Sequence, residues 1–258
     1  VDYHNENKVC LDLKNEFPDA KIGFFGNFPT RRPEIFKSGD FVIVGEAEAF
    51  FMEEFSSLKN MEGVVRVKNE LDINKRPAPN LDNFPLQKYS YSPGLNIKPF
   101  FPLQGSMGCP YSCGYYCTYG AFQGRLIRQR TAKKIVDDII TIKQKYGIKS
   151  IQFRDPVFGL KKGFIDDFCD EMNKRKVKIK WGMETRPDLI NEENLSNMFD
   201  VGLRLVNIGI ETKDQLIARQ NKRKLVNEDH QERIINFCNS KGIKVSAFFI
   251  LGLENDTE

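Results

Sequence analysis

Histidine and tryptophan are scarce in this chain of 258 residues, which contains two histidines and one tryptophan. The two histidines, His4 and His230, lie far apart and far from the clustered cysteines described below. Structural zinc sites close their coordination with four ligands, usually cysteine and histidine. The sequence therefore offers few ligands for a closed zinc site.

Long apolar stretches are also missing. No segment approaches the roughly 18 apolar residues of a membrane-spanning helix, and the opening VDYHNENKVC lacks the apolar run of a signal peptide. We therefore expect a cytoplasmic protein without a membrane span. The chain does not begin with methionine, from which we expect a fragment or a processed chain.

Positively charged residues only slightly outnumber negatively charged ones. The net charge of +4 gives no reason to expect nucleic acid as a main partner. The basic runs NKRKVKIK and RQNKRK are predicted to be solvated helix ends and loops, with an RNA contact as the alternative. The stretch GFFGNF lacks the G-x-G-x-x-G pattern, which argues against a dinucleotide site there.

What is present is the composition of a globular protein, with 40% hydrophobic and 29% charged residues. In residues 1–71, the short apolar runs IGFF and FVIV predict strands that are buried on both faces. Helical segments alternate with them, as in a doubly wound, Rossmann-like α/β domain. Only two strands are clear, so we expect the C-terminal part of such a domain.

Residues 72–99 are predicted to be a linker, because five prolines exclude a long helix or a central strand. Residues 100–258 then repeat a strand and a helix without a hairpin signal, which predicts a partial parallel (β/α) barrel. Gly147, Gly202 and Gly242 stand where helices should end. The repeats stop where another helix should begin, so we expect truncation at both ends of the chain.

Three of the six cysteines lie close together in GCPYSCGYYCTYG, at residues 108–120. Cys109, Cys113 and Cys117 follow the first predicted barrel strand, and loops at the carboxyl ends of such strands build the active face. Thiolates are the usual ligands of iron–sulfur clusters, and three of them leave one iron of a [4Fe–4S] cluster open. Zinc, or buried or redox-active thiols, are the alternatives. The other cysteines are predicted to be small core residues on helices: Cys10, Cys169 and Cys238.

These features resemble the radical S-adenosylmethionine superfamily. Its signature is Cys, three residues, Cys, two residues, Cys, with an aromatic residue before the last Cys. CPYSCGYYC keeps Tyr116 before Cys117 but has three residues in the second gap. FRDPVFG, ETRPDLI, GIET and FILGLENDT follow later strands in the family's order. The resemblance implies a [4Fe–4S] cluster on the three cysteines and reductive cleavage of S-adenosylmethionine to methionine and a 5′-deoxyadenosyl radical.

The resemblance also implies residues that bind S-adenosylmethionine. Asp155 would accept a hydrogen bond from the methionyl ammonium group, and Arg186 would pair with the methionyl carboxylate. Glu211 would accept from the ribose hydroxyls, with Glu184 as a second polar candidate. For each of these, the alternative is a salt bridge at the barrel rim.

The additional residue of the second gap is expected to form a bulge. Gly114 tolerates dihedral angles that other residues do not, so we expect the bulge between Gly114 and Tyr115. Cys117 then remains the third ligand, and Tyr116 lies against the adenine side of S-adenosylmethionine.

The N-terminal region resembles the C-terminal half of the cobalamin-binding domain found in many of these enzymes. The resemblance is carried by a strand, a short helix and GEAE after the next strand. It implies that Gly26, Asn27, Gly45 and Glu46 line a corrin at the carboxyl ends of the strands. The alternative is an ordinary α/β domain that has lost the cofactor.

The family resemblance implies an enzyme that acts on a small-molecule substrate and receives electrons from a donor such as flavodoxin or ferredoxin. Methylation, rearrangement and elimination all remain open, and the sequence does not select the substrate. One alternative is a methylthiotransferase-like enzyme acting on tRNA or protein, which would need a second set of clustered cysteines. Another is a non-catalytic iron–sulfur or zinc-binding module.

Overall fold

The structure is a computed structural model that describes residues 2–53, 55–67, 72–91, 94–114, 116–253 and 255–256. The chain divides into two compact units, Val1–Lys75 and Arg76–Glu258. Segment 76–99 therefore belongs to the second unit by its contacts. The boundaries expected at 71/72 and 99/100 stay predictions. None of the described helices is both long and apolar enough to cross a membrane.

The first unit is a small parallel α/β layer. Its elements are helix α1 (Tyr3–Glu16), strand β1 (Gly23–Phe24), helix α2 (Asn27–Arg31), strand β2 (Phe41–Val44), helix α3 (Ala47–Glu53) and strand β3 (Gly63–Arg66). Its described strands pair in parallel in the order β1–β2–β3. The expectation of only two strands is thus wrong: β3 is mostly exposed and ends in arginine, so it lacks the continuous apolar run that reveals β2.

The second unit carries the longer elements. They are β4 (Phe100–Leu103), β5 (Ser106–Met107), α4 (Tyr119–Phe122), β6 (Arg128–Gln129), α5 (Ala132–Tyr146), β7 (Ser150–Phe153), α6 (Phe164–Lys174), β8 (Lys180–Thr185), α7 (Glu192–Asp200), β9 (Leu203–Glu211), α8 (Gln215–Gln220), α9 (Glu228–Lys241) and β10 (Lys244–Phe249). Thr131, Asn191 and Asn227 cap the amino ends of α5, α7 and α9 with their side chains. Gly147 and Gly242 end α5 and α9 in the left-handed conformation, and Gly202 follows the last residues of α7.

Five strands of the described part form one parallel sheet in the order β4–β7–β8–β9–β10. Each neighbour in the sheet is the next long strand along the chain, with helices in the connections. This is the progression of a (β/α) barrel. The predicted fold class, a partial parallel barrel preceded by part of a doubly wound domain, is confirmed.

The two faces of this sheet differ in chemistry. The face toward the helices is apolar and buried, and it is formed by Ile151, Phe153, Met183, Val206 and Ile208, among others. The alternate positions form the inner face, where Gln152, Glu184 and Asn207 lie. Polar groups in these buried positions are typical of a wall that faces a ligand rather than a second hydrophobic layer.

One short antiparallel ladder was not predicted. β5 pairs with β6, with Ser106 opposite Gln129 and Met107 opposite Arg128. Each strand has two residues, too few for an alternating pattern to show in the sequence. The ladder joins the two ends of the segment that holds the three clustered cysteines, so it fixes where that loop leaves and rejoins the barrel.

Candidate functional site

The three clustered cysteines lie around one cavity at the carboxyl ends of the barrel strands. The cavity measures about 180 Å³. Its walls include Cys109, Cys113, Cys117, Tyr111, Tyr116, Tyr119, Glu184, Arg186, Asn207, Glu211, Arg223 and Phe248. The strand ends and the cysteine loop therefore meet at the face where ligands bind in parallel barrels.

The cysteine side chains are close enough to influence one another. Burial raises the pKa of the Cys109 thiol, and the charges of Cys117 and Cys113 raise it further. Within the described residues, no three His, Cys, Asp or Glu side chains are gathered tightly enough to hold a metal ion. The donor set of three thiols on one cavity fits an iron–sulfur cluster, for which thiolates are the usual ligands.

The loop is held from outside by a turn that follows α8. The backbone N–H of Gly114 donates to the carbonyl oxygen of Asn221 across 2.7 Å. A Cβ atom at Gly114 would lie 2.9 Å from Oδ1 of Asn221 and 3.3 Å from its carbonyl oxygen. Gly114 does not adopt a positive φ, so it serves close approach rather than the unusual dihedral angle that we expected. Tyr115, on the other side of the expected bulge, lies outside the described residues.

Tyr116 and Tyr111 supply aromatic surface to the cavity. Burial raises the pKa of the Tyr116 hydroxyl well above its ordinary value, and the Cys113 charge adds to this rise. The ring of Tyr111 lies under the guanidinium of Arg186, with 4.5 Å between the Arg186 Cζ atom and the ring centroid. Such a cation–π contact holds the guanidinium plane in a fixed orientation.

Arg186 is buried in the cavity wall with one donor left over. Its side chain is 3% exposed, and its Nε and Nη2 atoms donate to the two carboxylate oxygens of Asp188 at 2.9 and 3.2 Å. Nη2 also donates to the carbonyl oxygen of Lys224 at 3.1 Å. Nη1 is buried and finds no hydrogen-bond partner among the described residues. A buried, oriented N–H group of this kind is suited to an anionic ligand.

Glu211 is directed into the cavity by an irregularity of the sheet. Phe248 of β10 pairs with Gly209 of β9, but the next residue, Phe249, pairs with Glu211, so Ile210 is skipped. At this irregularity Glu211 adopts a φ of +67°. Burial raises the pKa of the Glu211 carboxyl, and the charges of Arg223 and Arg186 partly oppose this. The preceding Gly209 leaves room for both partners, since a Cβ atom there would lie 2.4 Å from Glu211 Oε1 and 3.2 Å from Arg223 Nη2.

Glu184 lies on the same wall, on the neighbouring strand β8. Its carboxylate is paired with Arg154, and burial raises its pKa while the Arg154 charge and a hydrogen bond from Asn207 oppose the rise. Asn207 in turn donates to the hydroxyl of Tyr91 at 3.0 Å. The proline-rich segment 76–99 thus reaches the inner face of the barrel, a contact that its composition did not reveal.

The structure does not bring Asp155 into this group. Asp155 is 0% exposed and lies outside the cavity lining. Its Oδ1 accepts from the Gly105 N–H at 2.7 Å, and its Oδ2 accepts from the Ser106 hydroxyl at 2.6 Å. Burial raises the pKa of Asp155 to about 6, although these hydrogen bonds and the charge of Arg130 favour the ionised form. In this arrangement Asp155 ties the end of β7 to the start of the cysteine loop.

Arg223 is a charged site residue that sequence reasoning missed, and Tyr111, Tyr119, Asn207 and Phe248 also line the cavity without having been predicted. Its run RQNKRK was predicted to be solvated, yet the Arg223 side chain is only 9% exposed and lines the cavity. The prediction is wrong for Arg223, while the neighbouring Lys222 and Lys224 are exposed as expected. The only available signal was the position of the run, a few residues after GIET and therefore close to the barrel mouth.

In the first unit, the predicted corrin-lining residues meet at one edge of its sheet. Gly45 directly follows β2, and Gly26 and Asn27 lie two and three residues after β1. The Gly45 N–H donates to the Thr30 hydroxyl at 3.1 Å, which joins the end of β2 to helix α2. Glu46 is the next residue and immediately precedes α3. The carboxyl edge of a parallel sheet is the usual ligand-binding edge.

A larger hollow of about 710 Å³ lies at the opposite edge of the barrel sheet. It is lined by the amino ends of β7, β8 and β9 and by exposed lysines, including Lys143, Lys149, Lys178 and Lys180. None of the predicted site residues lies there. In parallel barrels this edge serves stability rather than chemistry, so the smaller cavity is the candidate site.

Known proteins are similar to this chain in sequence and in fold. The anaerobic magnesium-protoporphyrin IX monomethyl ester cyclase of Rubrivivax gelatinosus is 35% identical over 176 residues, which are 66% of this chain and 30% of that protein. The radical S-adenosylmethionine methyltransferase TsrM of Kitasatospora setae, solved with tryptophan and an S-adenosylmethionine analogue, superimposes with a TM-score of 0.77 at 16% identity. That match covers 99% of this chain and 54% of TsrM.

A second solved fold is that of the cobalamin-dependent S-adenosylmethionine radical enzyme OxsB with aqua-cobalamin. It matches with a TM-score of 0.65 at 20% identity, over 96% of this chain and 40% of OxsB. The chain spans 30% to 50% of the length of the curated relatives that it matches.

The radical SAM superfamily profile matches residues 103–258, the part of the chain that forms the barrel and the cavity. This region includes the cysteine loop and the strand ends that line the cavity. Because the match covers more than half of the chain, the chain belongs to the radical SAM superfamily of iron–sulfur enzymes, whose cofactors are a [4Fe–4S] cluster and S-adenosylmethionine.

Proposed function

We propose that Cys109, Cys113 and Cys117 hold the [4Fe–4S] cluster and that S-adenosylmethionine binds beside them in the same cavity. The observation that carries the proposal is the meeting of three thiols with the buried, partly unpaired guanidinium of Arg186 on one cavity. Three protein thiolates leave one iron of such a cluster available to a ligand. The cavity wall then supplies the groups that hold the remainder of that ligand.

The charged residues of the wall divide between the two ends of S-adenosylmethionine. Arg186 Nη1 donates to the methionyl carboxylate, while Asp188 and the Tyr111 ring keep the guanidinium in place. Glu211 and Glu184 lie on adjacent strands and accept from the ribose hydroxyls, and Tyr116 covers the adenine side. Asp155 is already engaged with Gly105 and Ser106, so its role is to position the loop.

The chemistry begins with the transfer of one electron. When bound at the three cysteines, the cluster would supply one electron to the sulfonium of S-adenosylmethionine, whose S–C5′ bond would break to give methionine and a 5′-deoxyadenosyl radical. The chain positions that bond and keeps water away from the reactive carbon with the aromatic side chains of Tyr111, Tyr116 and Phe248. An external donor of the flavodoxin or ferredoxin type supplies the electron.

For the complete protein, we propose cobalamin-dependent methylation or ring closure of a small molecule. The support is the likeness to a porphyrin-ester cyclase in sequence and to cobalamin-binding enzymes in fold. Gly26, Asn27, Gly45 and Glu46 at the carboxyl edge of the first sheet are the residues proposed to line the corrin. The methylthiotransferase alternative is less well supported, because Cys10, Cys169 and Cys238 are buried on three separate helices.

Anaerobic reconstitution tests the cluster and its reaction. The complete protein is loaded with iron and sulfide, reduced with dithionite in the presence of S-adenosylmethionine, and assayed for 5′-deoxyadenosine. Bound iron and 5′-deoxyadenosine in stoichiometric or greater amounts support the proposal. Zinc without iron after purification, or bound iron without cleavage, would instead indicate the non-catalytic module.

Equilibrium dialysis with hydroxocobalamin tests the second cofactor. The complete protein should retain the corrin, and Asn27→Ala should retain less of it than Asn15→Ala, an exposed control on α1. Equal retention by the two variants would remove Asn27 from the site. No retention by the parent would mean that the first unit has lost the cofactor.

A further inference from the structure

We infer that Arg223 raises the reduction potential of the cluster by donating a hydrogen bond to the sulfur of Cys113. The inference rests on the proposed cluster site and adds to it a residue that controls how easily the cluster accepts an electron. It makes Arg223 a positioning and tuning residue, since it acts on the cluster through one of its ligands.

The geometry places the guanidinium between the cysteine loop and the end of β9. Nη1 of Arg223 donates to Sγ of Cys113 at 3.8 Å, within the longer range that sulfur acceptors allow. Nη2 donates to the carbonyl oxygen of Gly209 and lies 3.8 Å from Oε1 of Glu211. The planar fork therefore contacts the sulfur with one arm and is fixed by the strand with the other.

The backbone around Arg223 holds this position. Its N–H donates to the carbonyl oxygen of Ala218 at 2.8 Å, which folds the chain back after α8. The same turn accepts the Gly114 N–H through Asn221, one residue after Cys113. Two contacts from residues 221–223 thus reach the cysteine loop at adjacent positions, one through the backbone and one through a charged side chain.

Electrostatics give the direction of the effect. Reduction adds one negative charge to the cluster and its thiolates, and a buried cation beside a ligand sulfur favours that state. Hydrogen bonds to the sulfurs and net charge near the cluster are established means of setting its potential. The guanidinium keeps its charge when buried, and its removal from water strengthens its interaction with the sulfur.

The role differs from that of Arg186, which is also buried in this cavity. Arg186 contacts Asp188, Lys224 and Tyr111 and has Nη1 available for a ligand, and none of these contacts within the described residues involves a cysteine. Arg223 is directed at Cys113 instead. Loss of Arg186 should therefore weaken S-adenosylmethionine binding, and loss of Arg223 should change the electron affinity of the cluster even when no S-adenosylmethionine is present.

The test is a potentiometric titration of the reconstituted, complete protein without S-adenosylmethionine, followed by electron paramagnetic resonance of the reduced cluster. We expect Arg223→Gln to hold as much iron and sulfide as the parent. Its equilibrium constant for one-electron reduction of the cluster should fall by about tenfold, which lowers the reduction potential by about 59 mV. The control Arg219→Gln removes the same charge from an exposed position on α8 and should titrate as the parent does.

Arg223→Lys keeps a cation but loses the fork, and we expect a smaller shift in the same direction. It provides the decisive measurement if Arg223→Gln fails to hold iron. A parental potential in an Arg223 variant that retains the cluster overturns the inference, as does an equal shift in Arg219→Gln. A parent that binds no cluster under these conditions overturns the proposed function itself, so the two failures are distinguishable.

Discussion

The N–H of Gly114 donates a hydrogen bond of 2.7 Å to the carbonyl oxygen of Asn221, and this bond joins the cysteine loop to a turn more than a hundred residues later in the chain. Asn221 is itself buried, and its side chain donates back to Ile217 in α8. The loop is therefore positioned by the connection that follows β9 as well as by its own barrel strand. Changes in either segment should affect the cluster.

Gly114→Ala should loosen this connection. The new Cβ atom would meet Asn221 at 2.9 Å and 3.3 Å, which is closer than such contacts normally are, and relief of the overlap costs about 1–3 kcal/mol. We expect the reconstituted variant to lose iron faster than the parent, and the visible absorbance of the cluster measures this loss. Gly120→Ala is the comparison, because its new Cβ atom would meet the guanidinium end of the Arg125 side chain and not the Asn221 turn. Equal iron loss in both variants would contradict this account.

Replacement of Cys109, Cys113 or Cys117 by alanine should abolish the reductive cleavage of S-adenosylmethionine, because each change removes a thiolate ligand. The measurements are iron and sulfide content and 5′-deoxyadenosine release after anaerobic reconstitution. Cys169→Ala is the control: Cys169 is buried on α6, and its loss should cost only about 1 kcal/mol of stability. Cleavage at the parental rate by Cys117→Ala would show that the third ligand lies elsewhere.

Arg186→Gln should weaken the binding of S-adenosylmethionine by about tenfold to a hundredfold, which corresponds to the loss of one charge-assisted hydrogen bond. Isothermal titration of the reconstituted protein measures the dissociation constant. Arg233→Gln is the comparison, because Arg233 forms a largely exposed salt bridge with Glu192 and lies outside the cavity. An unchanged dissociation constant in Arg186→Gln would exclude the carboxylate contact.

Asp155 should make stability depend on pH. An unfolded aspartate ionises at a pH of about 4, whereas burial raises the pKa of folded Asp155 to about 6. Between these two pH values Asp155 is protonated in the folded state and ionised in the unfolded state, which stabilises the folded protein. This contribution to the free energy of unfolding is fully present below a pH of about 4 and is lost as the pH rises through about 6.

Asp155→Asn should remove this dependence while it preserves an acceptor for the Gly105 N–H. As the pH rises from about 4 to about 6, the free energy of unfolding of the variant minus that of the parent should increase by up to about 3 kcal/mol. Urea unfolding at a series of pH values provides the comparison. A difference between the two proteins that does not vary with pH would contradict the assignment.

The elements that sequence patterns predicted well are those with a strong local cause. β2 is a short run of buried apolar residues, β7 carries Ile151 and Phe153 at alternate positions, and α5 and α9 end at glycines in the left-handed conformation. β3 and the two-residue strands β5 and β6 lack such a signal, because their pairing depends on neighbours that are distant in the sequence. The same limit applies to α8, a helix of one and a half turns.

The site shows the same division. The spacing of the cysteines located the loop, and charged residues at strand ends located Arg186, Glu184 and Glu211, all of which line the cavity. Arg223 was missed because a basic run is typical of a solvated segment, and it is the fold around this run that buries the side chains of Asn221 and Arg223. Asp155 was placed at the barrel mouth because it follows a strand, but the sequence does not show that Gly105 and Ser106 would engage it first.

Gly209 has a consequence that reaches beyond its own strand. Because it has no side chain, the Glu211 carboxylate and the Arg223 guanidinium share the space that a methyl group would fill. One backbone position thus affects both the carboxylate that we propose for the ribose and the guanidinium that we propose for the cluster. A residue with a Cβ atom would displace both side chains at once, so under these two proposals a substitution at Gly209 should change ligand affinity and electron affinity together.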